Sequence, residues 1–496
     1  MLEINNLSIN IKEHKYLDNF NLVLNKYDKA CIIGEEGNGK STILKAILDK
    51  AFYASINGNI NTNNALIGYL PQKIEFTGLI YDYLFNSDYE YEMLNSNFYV
   101  EANKLNIDTQ ILYRDFVSLS GGEKVKIGIL KLKLHQYDLY LLDEPTNDLD
   151  IQTLEILESF INNCNSPILF VSHDETLIQN CANIIIHIEQ LRKKTVCKYT
   201  IFHGSYYDYQ EARNNHLNVQ NRQALSDKKE YEVKKEKLNN LINKVHYAQN
   251  NVSRQNPHEG YVLKKKMKQL KSMDFKLSKK DLREFPDSEE SIDFFFEDVK
   301  IPSGKNVLSF ELDELIVSDK VLATNIRLHL EGNKHIAIIG KNGCGKSTLI
   351  KKIYEDLIKR KDINVGYMPQ NYEESFNKIK VLNYLVEDNN AEDITKAMTM
   401  LGNMKFTSEE MMGDIKDLSG GLKAKLLLVK LALKKYDVLL LDEPTRNLSP
   451  LSTPVIAKAL NKYQGAILFV SHDRALLKRC ADCIFELNSN GLTQIG

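Results

Sequence analysis

Two segments of this chain place glycines, a lysine and adjacent hydroxyls at the spacing that wraps a phosphate chain. They are Gly34-Glu35-Glu36-Gly37-Asn38-Gly39-Lys40-Ser41-Thr42 and Gly340-Lys341-Asn342-Gly343-Cys344-Gly345-Lys346-Ser347-Thr348. Glycines let backbone N–H groups close around anionic oxygens. Lys40 and Lys346 would then lie against β- and γ-phosphates, and the Ser41 and Ser347 hydroxyls would ligate Mg²⁺. Apolar strand-like runs precede both loops. A helical pattern follows each, and its N-terminus favours negative charge.

Other polar blocks accompany each loop. Asp143-Glu144 and Asp442-Glu443 end apolar runs. The aspartates suit a water-mediated Mg²⁺ contact, and the glutamates suit orienting or deprotonating an attacking water. Gln72 and Gln370, each after Tyr-Leu-Pro or Tyr-Met-Pro, supply neutral ligands for metal or water. His173 and His472 follow Phe-Val-Ser, where an imidazole can reach a γ-phosphate. Leu-Ser-Gly-Gly, with Ser120-Gly121-Gly122 and Ser419-Gly420-Gly421, opens a second helix in each half. A single histidine there would more often be structural, and a single Ser-Gly-Gly a common loop. Recurrence decides the matter: Ser120, Asp143 and His173 each reappear 299 residues later. The chain is a duplication.

These blocks require α/β units of the phosphate-loop kind, at 1–200 and 300–496, joined by a linker over 201–299. The linker reads as a long antiparallel helical hairpin. Neither proline nor glycine occurs from Ser205 to about Asn250, and a second helical stretch runs from about Tyr261 to Asp281. Leu238, Leu241 and Val245, then Leu263, Met267, Leu270, Met273 and Leu277, supply a narrow apolar seam. Asn-Pro-His-Glu-Gly at 256–260 marks a break within a tip spanning 246–260, and Pro286 closes the second helix.

The 496 residues carry a net charge of −2, 43% hydrophobic residues and seven scattered cysteines. That excludes a uniformly basic nucleic-acid coat and a disulfide-stapled scaffold. No apolar run is long enough to span a bilayer, and the N-terminus lacks the pattern of a secretory signal. The sum hides an asymmetry. Residues 201–284 hold 18 basic and 10 acidic side chains, a net of +8, so the remainder carries −10. Lys264, Lys265, Lys266, Lys268 and Lys271 form the densest basic cluster, an excess that suits RNA phosphates. Cys344, between glycines near a helix N-terminus, is either a small spacer or a reactive thiol of lowered pKa. Cys480 and Cys483 lack partners at metal-ligand spacing and read as structural.

In combination the blocks resemble the Walker A, Q-loop, signature, Walker B and switch-histidine motifs of ATP-binding cassettes. The resemblance implies two cassettes packed head to tail, with ATP and Mg²⁺ held between Walker A of one and the signature of the other. Site one would combine Gly34–Ser41, Thr42, Gln72, Asp143, Glu144 and His173 with Ser419, Gly420 and Gly421. Site two would combine Gly340–Ser347, Thr348, Gln370, Asp442, Glu443 and His472 with Ser120, Gly121 and Gly122. Glu144, Glu443, His173 and His472 would be catalytic, and Ser41, Gln72, Asp143, Ser347, Gln370 and Asp442 would serve the metal. Both glutamates are present, so both sites should hydrolyse ATP. The halves differ, however. Leu422 replaces Glu123, and Arg446-Asn447-Leu448-Ser449-Pro450 replaces Asn147-Asp148-Leu149-Asp150. In a head-to-tail pair both departures should face site one.

Paired cassettes with a charged hairpin also resemble the ABC-F family of ribosome-associated ATPases. Phe202-His203-Gly204-Ser205-Tyr206 resembles that family's approach to its linker. Only 48 positions separate Gln72 from Ser120, which leaves no room for the extra arm of the housekeeping members. Pro444-Thr445-Arg446-Asn447-Leu448-Ser449-Pro450-Leu451-Ser452 resembles resistance proteins of the Lsa and Vga type. The resemblance implies a cytoplasmic monomer that binds the bacterial 70S ribosome at its exit site, near the P-site tRNA. Its tip would reach rRNA at the peptidyl-transferase centre and release lincosamide, streptogramin A or pleuromutilin drugs. His246, Tyr247, Ser253, Arg254 and His258 would be best placed. An aromatic in such a loop either pins the hairpin or stacks on a base. A translation factor without resistance activity, or fused ATPase subunits of an importer, are the competing readings.

Overall fold

The computed structural model describes residues 2–12, 14–146, 149–191, 196–251, 257–278, 294–297, 299–317, 320–370, 379–386 and 390–495. The chain forms two compact units, Met1–Tyr206 with Glu289–Gly496, and Tyr207–Ser288. Among the described residues no helix is long and apolar enough to cross a membrane.

The larger unit holds two mixed α/β halves of one topology. In the first, a six-stranded sheet runs Ile67–Leu70, Leu139–Asp143, Ile168–Val171, Lys29–Ile33, Ile184–Gln190, Val196–His203. All neighbours are parallel except the last pair. The second half repeats this order with Val365–Met368, Val438–Asp442, Ala466–Val470, His335–Ile339, Cys483–Asn488 and Gly491–Gln494. Lys29–Ile33, Leu139–Asp143 and Ile168–Val171 are buried along their whole length. That is why they read as unbroken apolar runs rather than alternating ones.

Register decides what these strands present. Val171 lies opposite both Ile32 and Asp143, and Leu70 lies opposite Leu142. The carboxyl ends of four strands therefore finish at one level. That edge is where open α/β sheets bind ligands, because helices and loops start there with unpaired N–H groups. Antiparallel strands complete each half: Leu2–Ile11, His14–Leu24 and Ser55–Asn61 in one, Asn306–Val317 and Lys320–Glu331 in the other.

The smaller unit is two helices, Tyr206–Asn251 and Pro257–Ser278. At about 1.5 Å per residue the first extends roughly 69 Å. Their seam is Leu238, Ile242 and Val245 against Leu263, Met267, Leu270 and Leu277. Leu241 and Met273 do not belong to it: they are 46% and 59% exposed. A 3.5-residue repeat alternates steps of four and three, so 238 leads to 242 and 270 leads to 277 by way of the half-buried Asp274. The tip is also shorter than the sequence suggests. His246 and Tyr247 lie on the first helix, and His258 lies in the first turn of the second, which Pro257 opens. Proline is well tolerated in a first turn, where its missing N–H has no partner to lose. Ser253, Arg254 and Pro286 fall outside the described residues. Leu270→Ala should cost the hairpin about 2 kcal/mol. Met273→Ala should cost less than about 0.5 kcal/mol. Amide hydrogen exchange across 207–288 in the full chain checks this, and equal effects would reject the seam.

Candidate functional site

Gly39 and Gly345 adopt left-handed backbone, φ 83° and 100°, immediately before the helices Lys40–Ile47 and Lys346–Leu357. Gly34 has φ +145°, and a Cβ there would lie 2.3 Å from the Ile188 carbonyl oxygen. Only glycine lets the loop pass that close. In the first loop, Lys40 Nζ donates to the Gly34 and Glu35 carbonyls at 2.8 and 2.9 Å. Lys346 Nζ donates to Gly340 and Lys341 at 2.7 and 2.9 Å. Each loop is thus curled around its own ammonium. Asn38 Nδ2 ties the first loop to the Ile188 carbonyl at 3.0 Å, and Thr42 Oγ1 lies 3.2 Å from the Tyr53 hydroxyl.

The strand ends bring the other blocks in. Ser41 Oγ donates to Asp143 Oδ1 at 2.8 Å, Gln72 Nε2 donates to Glu144 Oε2 at 2.8 Å, and His173 Nε2 lies 3.2 Å from Glu144 Oε1. In the second half, Ser347 Oγ donates to Gln370 Oε1 at 3.4 Å, and the His472 backbone N–H reaches Glu443 Oε2 at 3.4 Å. Glu144 and Glu443 both adopt φ near +50°, at 50° and 53°. Such backbone is costly for a residue with a side chain and concentrates at functional sites.

Burial governs the electrostatics. It pushes the Asp143 carboxyl up to about 6 against the pull of the Ser41 hydrogen bond. It pushes Glu443 up to about 8, helped by the neighbouring charge of Asp442. His472 is pushed down to about 4, by burial and then by Lys346, so its imidazole is neutral near pH 7. Among the described residues Asp442 Oδ1 is buried with no hydrogen-bond partner. Hydroxyl, carboxylate and amide oxygens are the donors a hard divalent cation takes. The sets Ser41, Asp143, Gln72 and Ser347, Asp442, Gln370 fit one.

A cleft of about 480 Å³ brings the second loop and the first signature together. Ser120, Gly121 and Gly122 line it with Asn342, Gly343, Gly345, Lys346, Ser347, Thr348, Gln370, Asp442, Glu443 and His472. The volume falls in the range of small-molecule sites. Asp150 also acts on it electrostatically: burial lowers Lys346 and His472, and the Asp150 charge partly opposes that in both.

The reciprocal site has a different appearance. The Gly421 N–H, at the start of the signature helix Gly420–Ala432, donates to Glu36 Oε2. Lys425 of that helix pairs with Glu35 at 2.5 Å. The side chains of two loop residues assigned to nucleotide binding thus engage the opposite cassette. No motif marks that role; the signal is two adjacent carboxylates where the second loop has Lys341 and Asn342.

One expectation needs correction. Arg446 and Asn447 line the site-two cleft, so that departure does not face site one alone. The reason is that the loop after the Walker B strand runs beside its own cassette's site before reaching the interface. Asn147 and Asp148 fall outside the described residues. Of the two readings of Cys344, the small spacer is the one favoured: burial pushes that thiol up, against the pull of Lys346. The Cys480 thiol is buried against the Ala457 carbonyl, and Cys483 belongs to a strand.

Other interface groups escaped sequence reasoning altogether. Arg474 pairs with Glu158 and lies 3.7 Å from Asp174, and Arg479 pairs with Glu175 at 2.9 Å.

The family model described as ABC transporter matches residues 17–147 and 323–446, one segment in each half. ABC transporter F family member 2 of Arabidopsis thaliana is 30% identical over 76% of this chain and 53% of its own length. Ribosome protection protein VmlR of Bacillus subtilis is 26% identical over 99% of this chain and 87% of its own. Among solved structures, one describes the complex of archaeal ribosomal stalk protein aP1 with archaeal ribosome recycling factor aABCE1. It matches with a TM-score of 0.61 at 16% identity, covering 96% of this chain and 87% of that one, a likeness of fold. Domains of this kind bind ATP, typically with Mg²⁺. With a cassette matched in each half, the chain belongs to the ABC transporter family, as a tandem-cassette ATPase of its F group.

Proposed function

We propose that the protein hydrolyses ATP at two composite sites and uses the cycle to bind and leave the bacterial ribosome, protecting its peptidyl-transferase centre from antibiotics. The cleft between the second phosphate loop and the first signature carries the enzymatic half of this reading. There Lys346 and the loop N–H groups bind the phosphates, and Ser120 and Gly122 close over them from the other cassette. Ser347, Asp442 and Gln370 would hold Mg²⁺, which would neutralise phosphate charge when bound. Glu443 orients the attacking water and, in the ionised fraction that grows as pH rises through about 8, takes its proton, while the neutral His472 positions it against the phosphate. Glu144 and His173 do the same in site one, with Ser41, Asp143 and Gln72 on the metal.

The ribosomal half rests on the basic hairpin and on the relative named for ribosome protection. Tyr261, Lys264, Lys265, Lys268 and Lys271 share one pocketed face of the second helix. A surface that interleaves lysines with an aromatic suits RNA phosphates and bases. The reading takes the protein as a cytoplasmic monomer with its cassettes paired within one chain.

The test is co-sedimentation of the Glu144→Gln/Glu443→Gln protein with 70S ribosomes and ATP. Stable association dependent on residues 207–288 is expected; none would reject ribosome binding. Drug protection is tested by expression in a susceptible bacterium. Unchanged inhibitory concentrations for lincosamides, streptogramin A and pleuromutilins would leave a translation factor instead.

A further inference from the structure

The two signature helices start in different electrostatic company. In the first, Ser120 and Glu123 form a capping box: Glu123 Oε2 accepts from the Ser120 N–H at 2.9 Å and from its hydroxyl at 2.7 Å. A carboxylate from its own helix thus sits at the positive end of the backbone dipole. The second helix has Leu422 at the matching position and no acidic residue in its first turn. Its carboxylate arrives from the other cassette, as the Glu36 side chain bonded to the Gly421 N–H.

Three observations show that this contact is built in. A Cβ added at Gly420 or Gly421 would meet Asn447 first, at 2.7 Å, and then Glu36 carboxylate oxygens at 3.1 and 3.2 Å, so only bare glycines fit between Asn447 and that carboxylate. Glu35 holds the same helix through Lys425, whose side chain is 5% exposed. The second phosphate loop has no carboxylate at either position, and the cleft between it and the first signature is open to a ligand.

We propose that Glu36 is a specificity-determining residue of site one: its carboxylate holds the signature N–H that a γ-phosphate would otherwise take, so ATP must displace it while ADP need not. The inference rests on the reading of site one as a nucleotide site between Walker A and the opposite signature. A carboxylate and a phosphate oxygen are competing anions for one helix start. The competition is confined to the group that reaches the signature, which only the triphosphate has. Site one therefore binds ATP more weakly than site two does, and its preference for ATP over ADP is smaller. Site two loads first.

The experiment uses the full chain carrying Lys346→Ala, which silences site two, and fluorescent ATPγS and ADP as probes. Adding Glu36→Asn, which supplies the residue of the second loop, should tighten ATPγS about tenfold, the range of one charge-assisted hydrogen bond. ADP should change by less than about twofold. Glu36→Gln keeps the side-chain length and should move in the same direction, covering the case in which the asparagine variant misfolds. Equal tightening of both nucleotides would reduce the effect to relief of charge beside the phosphates and overturn the proposal. No change in either would overturn it too. If Lys346→Ala protein bound neither probe, the nucleotide reading of site one itself would fall, an outcome distinguishable from both.

Discussion

Glu443→Gln should lower turnover at site two by about 10²–10⁴-fold, the range that one positioned general base contributes. The glutamine matches the carboxylate in size, so the fold and the His472 N–H contact survive while the proton acceptor is lost. Glu144→Gln should remove turnover at site one by the same chemistry, since Gln72 and His173 both hold that carboxylate. The two variants should nevertheless differ in total ATPase rate. Site two is an open cleft lined by both cassettes, whereas site one begins with Glu36 on the signature. Loss at Glu443 should therefore remove the larger share of steady-state hydrolysis. Initial rates of phosphate release from each single variant and from the pair decide it. Full activity in either single variant would reject that glutamate as a base, and equal residual rates would reject the inequality.

Much of this site could be read from the chain because its geometry is local. A glycine loop, its lysine and its helix occupy about ten residues whose spacing backbone sterics impose. The strand ends are legible for a related reason: buried parallel strands are apolar runs, and the first polar residue after each must lie at the sheet edge. The duplication added what no single block could, since the same order recurs at a constant offset. What stayed hidden is non-local. The bond from Gly421 to Glu36 joins residues 385 apart, and neither belongs to a pattern that names the other. The seam of the hairpin was blurred for a different reason: Leu241 and Ile242 are adjacent apolar residues, and only packing selects Ile242.

Arg474→Ala should destabilise the pairing of the cassettes by about 3 kcal/mol, the low end for breaking a largely buried ion pair. Arg474, Glu158 and Asp174 have side chains only 19%, 14% and 11% exposed, so losing the guanidinium strands two carboxylates where water cannot solvate them. Burial already pushes the Asp174 carboxyl up to about 6, against the pull of Arg474. Its folded value lies above the ordinary one, so ionisation costs folding stability above about pH 6, and that cost fades as pH falls towards 4. The alanine variant should therefore be most compromised near neutral pH and approach the parent protein in acid. Arg479→Ala should cost about 1 kcal/mol or less, because its guanidinium is 39% exposed and screened despite two good hydrogen bonds to Glu175. The arrangement is directional. Glu175 in one half and Arg474 in the other follow the matching His-Asp pairs, and in these ion pairs the carboxylates come from the first half and the guanidinium groups from the second. A symmetric pair of like cassettes could not make these bonds, which ties the departure of the second copy to recognition of the first. Denaturant unfolding of Arg474→Ala, Glu158→Ala and the double variant measures the coupling, expected at about 2 kcal/mol. Additive losses would show that the two residues stabilise their own cassettes separately and that the interface is held elsewhere.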